Sequence, residues 1–295
     1  MANLTLKQLR YFEAVANFGH FGHAADACSI SQPAISVQIK ELEQILGAAL
    51  FERSPRQIKL TSFGTEFAGR AREILRAVDD LGDLGRASHR GLVGKLRLGI
   101  IPTIAPYLLP RIIGNLSLSH SDLDLHIRET MTHKLIADLV EGRLDTAIVA
   151  LPVSEPSLHE APLFDEDFVL VRPKPDGDKP VPNAASLSKM RLLLLEEGHC
   201  FRDQALSFCG MRTPLPREGM DGSSLSTLVQ MVGTGIGVTL IPEMAVAVES
   251  KSAEVAISRF SAPIPSRTIG MVWRKSSPLT KQFMQIAEVV KRLEG

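Results

Sequence analysis

The chain has 295 residues, enough for about two domains with sizeable cores. Lys plus Arg and Asp plus Glu balance at 33 each, so no global field draws the protein to nucleic acid or a membrane; any such contact must come from a local patch. Three cysteines exclude a disulfide scaffold, no stretch approaches the roughly 18 apolar residues of a membrane span, and the N-terminus has no secretory leader pattern. The expected setting is therefore the reducing cytoplasm, with no membrane partner.

Leu6, Leu9, Phe12 and Ala16 recur every three or four residues and predict a helix over 4–16, which Gly19 and Gly22 interrupt. Ala24, Ala25 and Cys28 form a second short helical face, on which Cys28 reads as packing. Ser31 is placed to cap a third helix, with Pro33 tolerated in its first turn. That helix carries Ile35, Ile39, Leu42 and Leu46 and stops at Gly47. Three short helices with a tight turn before the third predict a helix-turn-helix over about 21–40. Gln32 and Ser36 share one face of the third helix. Glutamine can pair with adenine and serine with any base edge, which favours base contact over simple capping and solvation.

Phe51 to Thr61 places Ser54-Pro55 between two short extended runs, the pattern of a hairpin wing. Arg53, Arg56 and Lys59 fall there with no acid between 53 and 60. Beside a helix-turn-helix, phosphate contact is the better reading than a solvated loop. Residues 62–90 then read as one long helix. Phe67, Ala71, Ile74, Val78, Leu81 and Gly85 step by 4, 3, 4, 3, 4, a seam suited to pairing with a second chain rather than to a lone surface helix.

Gly91 to Gly94 marks a change of texture, after which strands alternate with helices. Leu96, Leu98 and Ile100 predict a strand, and Pro102-Thr103 opens a helix through Ile113. Leu125 to Thr130 is a strand, and Thr132 caps a helix ending near Gly142. Strands are expected at Thr146–Ala150 and Phe168–Arg172, followed by a stretch rich in Pro, Gly and Asp at 173–182. Arg191 to Leu195 leads into the cysteine segment. Ser223 and Ser224 cap a helix ending at Gly233, Gly237 to Ile241 is a strand stopped by Pro242, Ile269 to Trp273 is another, and 278–293 is a final helix. Gly233-Thr234-Gly235-Ile236-Gly237 follows a helix instead of opening one, so it is a turn and not a dinucleotide loop. The order predicts an α/β region of two lobes, the chain crossing near 165 and returning near 268, with a cleft between them.

Cys200 and Cys209 lie nine residues apart, and His199 and Arg202 bracket the first. Both thiols fit small buried hydrophobes. The flanking positive groups equally fit a thiolate that attacks an oxidant, with a second thiol to close a disulfide. Thr103 and Thr132 fit plain helix caps as well as ligand-binding hydroxyls. His199 fits a core imidazole or a proton-transfer group. No ligand set has zinc-like spacing, so no metal is expected.

Residues 4–61 resemble the winged helix-turn-helix of LysR-type transcriptional regulators. The resemblance rests on Leu9-Arg10-Tyr11-Phe12, Ala24-Ala25, Ser31-Gln32-Pro33-Ala34-Ile35-Ser36, Ile39-Lys40-Glu41-Leu42-Glu43, Leu46-Gly47, Leu50-Phe51-Glu52-Arg53, and Leu60-Thr61 with Gly64. Farther on, Gly99-Ile100-Ile101-Pro102-Thr103, Pro106-Tyr107-Leu108-Leu109-Pro110, Gly198-His199-Cys200-Phe201-Arg202-Asp203-Gln204-Ala205 with Cys209, and Gly237-Val238-Thr239-Leu240-Ile241-Pro242 resemble the hydrogen-peroxide-sensing members of that family.

The resemblance implies an N-terminal all-α winged helix-turn-helix (1–61), a linker and dimerisation helix (62–90), and a C-terminal α/β two-lobed effector domain (91–295) like type 2 periplasmic binding proteins. Lobe I is expected at about 91–164 plus 269–295, and lobe II at about 165–268. It implies Cys200 as the peroxide-reactive thiol and Cys209 as its resolving, disulfide-forming partner. The implied peroxide pocket comprises Thr103, Thr132, His199, Arg202 and Asp203. The implied DNA-binding set is Phe21, Ser31, Gln32, Pro33, Ala34, Ser36, Val37, Lys40, Arg53 and Arg56. Val37 departs from the polar residue or glycine that many relatives carry there, which bears on operator preference. The implied function is a peroxide-responsive activator that is not an enzyme and uses no cofactor. Its implied partners are double-stranded promoter DNA, RNA polymerase, a second copy in a homodimer or homotetramer, and a thiol reductant such as glutaredoxin or thioredoxin. The rival readings are a LysR-type regulator of a small organic effector and a thiol peroxidase. If 202–208 is helical in the thiol form, closing Cys200–Cys209 must unwind it.

Overall fold

The computed structural model describes residues 4–53, 58–87, 92–120, 122–211, 221–251 and 253–294. The expected Ser54-Pro55 turn, Arg56 and the Gly91 break lie outside them, as does the side chain of Arg53. The chain divides into two units, Met1–Gly85 and Arg86–Gly295.

In the first unit, α1 (Leu6–Phe18) starts on a reciprocal cap: Thr5 accepts from the Gln8 backbone N–H, and the Gln8 side chain accepts from that of Thr5. Gly19 ends it with φ 60°. Helix α2 (Phe21–Ala27) leads through a short turn into α3 (Gln32–Leu46), whose cap is Ser31 Oγ accepting from Ala34 N–H at 3.3 Å. Strands β1 (Phe51–Arg53) and β2 (Ile58–Leu60) pair antiparallel as the wing. Leu9, Phe12, Val15, Ile35, Ile39, Leu42 and Leu50 form the shared core. Gly64 is required by close approach, because a Cβ there would stand 2.1 Å from the Leu50 carbonyl oxygen.

Helix α4 (Ser62–Ala87) corrects the expected seam. Ala71, with Ala68 and Leu75, is buried in the first unit's own core, so Ala71 is not free to face a partner. Ile74, Leu81 and Leu84 stay exposed and Val78 half-buried.

The second unit holds a seven-stranded sheet and a small two-stranded one. In chain order its elements are β3 (Gly94–Ile100), α5 (Ala105–Ser119), β4 (Leu123–Glu129), α6 (Thr132–Val140), β5 (Thr146–Leu151), β6 (Leu158–Pro173), α7 (Ala184–Leu187), β7 (Leu194–Leu195), α8 (Cys200–Phe208), β8 (Asp221–Gly222), α9 (Leu225–Gly233), β9 (Thr239–Pro242), α10 (Val246–Glu249), β10 (Val255–Arg259), β11 (Ser266–Arg274) and α11 (Thr280–Glu294). Strands β4, β3 and β5 run parallel, and β11 runs antiparallel between β5 and β6.

One core, built on β3, β5, β11, α5, α6 and α11, includes Leu98, Ile100, Ile148, Trp273 and Phe283. A second includes Phe168, Leu170, Phe201, Leu206, Cys209, Leu228 and Leu240. The 16-residue β6 joins them, pairing with β11 up to Asp167 and with β9 and β10 beyond. It starts ten residues before the expected Phe168, because Asp165-Glu166-Asp167 hide the pattern that backbone pairing sustains. The lobes are also tied directly. Tyr107 of α5 packs on the second core and donates to Glu249 Oε1 at 2.7 Å, and Ser226 Oγ donates to the same oxygen at 2.9 Å.

Two expected caps fail. Helix α5 begins at Ala105, after Thr103, and runs on to Ser119. Helix α6 has Met131 as its N-cap, and Thr132 is its first helical residue. The Thr103 hydroxyl instead accepts from Arg267, and the Thr132 hydroxyl caps nothing.

Candidate functional site

Helix α8 begins at Cys200, and the turn before it explains why. Gly198 has φ +95°, a left-handed value suited to glycine, and a Cβ there would meet Met131 Sδ at 2.8 Å. The loop therefore lies against the start of α6. His199 occupies the N-cap position in extended backbone, without a side-chain hydrogen bond to the helix. Cys200 is the first helical residue, half-buried and free. Cys200 therefore sits where a helix presents backbone N–H groups without intrahelical partners.

Cys200 packs against the first core, whereas Phe201 and Cys209 belong to the second. Cysteine and boundary thus coincide. The Phe201 ring lies 4.8 Å from that of Phe168, and the guanidinium carbon of Arg267 sits 5.4 Å from its centroid. Arg267 is fully buried. Its Nη1 donates to Thr103 Oγ1 at 2.8 Å, its Nη2 to the Thr103 carbonyl at 3.2 Å, and its Nε to Glu166 Oε2 at 2.8 Å. Thr103 is buried, and its hydroxyl accepts from Arg267, which leaves its own O–H to donate elsewhere.

Thr132 follows Met131, which packs on Gly198. Its buried Oγ1 has no hydrogen-bond partner among the described residues, and neither has Gln204 Oε1, one turn past Cys200 on α8. Buried polar atoms are normally satisfied. Two such atoms, one beside Met131 in sequence and one a helical turn past Cys200, suit a small ligand able to donate and accept.

His199 is buried, and burial holds its imidazole below the usual histidine range, with Glu196 pulling weakly the other way at 4.0 Å. It is therefore a neutral ring near pH 7. Arg202 is buried but engaged: Nη1 donates to the Leu195 carbonyl at 2.5 Å and pairs with Asp221 at 3.0 Å. Asp203 is exposed in the first turn of α8. Thr103 is thus tied through Arg267 to the Phe201 ring at the start of α8, and Thr132 follows Met131, which faces Gly198; Arg202 is engaged by Leu195 and Asp221, and Asp203 is exposed. The expected set did not include Arg267, Glu166 or Gln204, which the structure places next to Thr103 or on α8. Gln204 was legible as the i+4 neighbour of Cys200; Arg267 carried no local signal.

Cys209 is buried in the second core, and burial pushes its thiol up to about 11. Nine helical steps separate it from Cys200, about 13.5 Å at 1.5 Å each. A disulfide needs Cα atoms about 4.4–6.8 Å apart. Both thiols are free, and α8 is intact between them. Among the described residues, no group of three or more His, Cys, Asp or Glu side chains is placed to hold a metal, and no helix is long and apolar enough to cross a membrane.

In the first unit α3 buries Ile35, Ile39 and Leu42 and exposes Gln32, Pro33, Ala34, Val37 and Lys40, with Ser36 half-buried and Ser31 engaged as the cap. Phe21 is half-buried and packs against the core, its ring 6.3 Å from that of Phe51. Arg53 pairs with Ile58 through its backbone.

Comparisons with known proteins agree with both units. Residues 6–65 match the model of the bacterial regulatory helix-turn-helix protein, lysR family, and residues 89–293 that of the LysR substrate binding domain. The chain is 39% identical over 295 residues to the DNA-binding transcriptional dual regulator OxyR of Escherichia coli K12, covering 99% of this chain and 97% of that one. A full-length OxyR mutant from Pseudomonas aeruginosa superposes with TM-score 0.78 at 37% identity, covering 98% and 95% of the two chains. An H2O2-bound OxyR mutant from Corynebacterium glutamicum superposes with TM-score 0.67 at 36% identity, covering 98% and 92%. With both family models matched and this identity sustained from end to end, the chain belongs to the LysR family of bacterial helix-turn-helix regulators.

Proposed function

We propose that this protein is a hydrogen-peroxide-sensing transcriptional activator switched by a reversible disulfide between Cys200 and Cys209. The observation that carries this reading is a half-buried free thiol at the start of an intact α8, whose preceding loop lies against Met131, together with the buried Thr132 Oγ1 and Gln204 Oε1 that have no hydrogen-bond partner among the described residues. Peroxide has two O–H donors and four lone pairs, which match that set.

The Cys200 thiolate attacks one peroxide oxygen, the O–O bond breaks, and Cys200 becomes a sulfenic acid while the departing hydroxide takes a proton to leave as water. The Cys209 thiol then attacks the Cys200 sulfur, and a second water leaves. A helical span of about 13.5 Å, roughly twice what a disulfide allows, requires α8 to unwind. Unwinding moves a segment that packs on both lobes, a local bond change with a global readout. A dithiol reductant such as glutaredoxin or thioredoxin restores the starting state by exchange.

The working division is 1–61 for DNA, 62–90 for dimerisation and 91–295 for sensing. Exposed Ile74 and Leu81 with half-buried Val78 support pairing of two α4 helices in a homodimer or homotetramer. Gln32, Ser36, Val37 and Lys40 of α3 face promoter DNA in the cytoplasm, the basic run of the sequence that includes Arg53 and Arg56 supplies phosphate contacts, and RNA polymerase is the downstream partner. The test is peroxide-dependent transcription from a bound promoter by the intact protein and by Cys200→Ser. The expected result is loss of response in the variant. A normal response would point to a small organic effector, and catalytic turnover of peroxide with a thiol donor would point to a peroxidase.

A further inference from the structure

The outward face of α3 is not uniformly polar. Val37 is 52% exposed and lies outside the first unit's core. Pro33 and Ala34, four and three residues earlier, are also exposed, so the three form an apolar strip along the N-terminal half of the helix. Gln32 and half-buried Ser36 flank it, and exposed Lys40 follows one turn later. A β-branched residue is a poor choice for an exposed helical position on propensity alone. What it offers is stiffness: in a helix one rotamer dominates, so its two methyl groups project in a fixed direction.

A helix-turn-helix inserts the early part of its second helix into the major groove. The apolar feature that a base edge presents there is the 5-methyl group of thymine. We propose that Val37, supported by Ala34, is a specificity-determining residue that selects thymine at one position of each operator half-site by packing on that methyl. Lys40 would hold the register on a nearby phosphate. This inference rests on the DNA-reading function proposed above and adds which base is read, by which atoms.

The test uses the full chain. A duplex is first selected from a random library by the wild-type protein. Each thymine of that duplex is then replaced singly by deoxyuridine, which removes the methyl and leaves every hydrogen-bonding group in place. Wild type should lose about three- to fivefold in affinity at one thymine per half-site, the worth of roughly one methyl group taken out of water. Val37→Ala should bind thymine and uracil equally there, and Val37→Ile should keep the discrimination. The proposal is overturned if no thymine methyl matters, or if Val37→Ala shows the same penalty as wild type. If the wild type selects no sequence at all, the DNA-reading function falls with it; a selected duplex without methyl dependence removes the Val37 assignment and leaves that function standing.

Discussion

The two redox thiols should differ sharply in reactivity before any peroxide is added. Cys209 is buried and its thiol is pushed up to about 11. At pH 8 roughly one molecule in a thousand then carries the thiolate, against about one in four for an unperturbed thiol of pKa about 8.5. Ionisation alone makes Cys209 about 200-fold slower toward an alkylating agent than a free exposed thiol, and access adds to this because the side chain sits in the second core. Iodoacetamide labelling of the reduced protein at pH 8, followed by peptide mass spectrometry over time, reads this directly. Cys200 should label first, and in urea the two should label at similar rates. Native Cys209 labelling within a few-fold of a free thiol would refute the reasoning.

Three further outcomes follow from the same contacts. Arg267→Ala removes the charge that pairs with buried Glu166 and a donor to Thr103, so it should cost about 3 kcal/mol in urea unfolding of the protein and slow Cys200 oxidation, whereas Arg267→Lys should recover part of both. Because burial lowers the His199 pKa, the unfolded chain binds that proton more readily; the contribution to stability is complete above about pH 6.5 and is lost as pH falls below it. His199→Gln should flatten that part of the pH profile, measured by thermal unfolding. Ile74→Asp places an unpaired charge on the uncovered part of α4 and should shift the full chain toward monomer by light scattering; an unchanged mass would remove α4 from the interface.

Much of the helix-turn-helix was legible because its packing is local. Leu9 with Phe12, and Ile35 with Ile39 and Leu42, announce their own helical faces, and Ser31 caps where its spacing says it should. The α4 seam was half legible: periodicity finds an apolar stripe but does not say whether its own domain covers it, and Ala71 is so covered. Where contacts are distant the sequence is quieter. The first ten residues of β6 are held by β11, far along the chain, against an acidic pattern that argues for a loop. Thr103 looked like a cap because caps are a local matter. Its actual partner, Arg267, is 164 residues away. The cysteine pair and its histidine were readable because the chemistry is packed into one short segment. The unsatisfied oxygens of Thr132 and Gln204 emerge only when burial is known.

The central claim is a peroxide-driven disulfide within one chain, and mass-spectrometric thiol mapping of the reduced protein before and after one equivalent of hydrogen peroxide tests it most directly. The account predicts a Cys200–Cys209 crosslink within a single chain, an unmodified Cys28, and sulfenic acid at Cys200 when Cys209 is replaced by serine. An unoxidised Cys200, or a crosslink to Cys28, would contradict it.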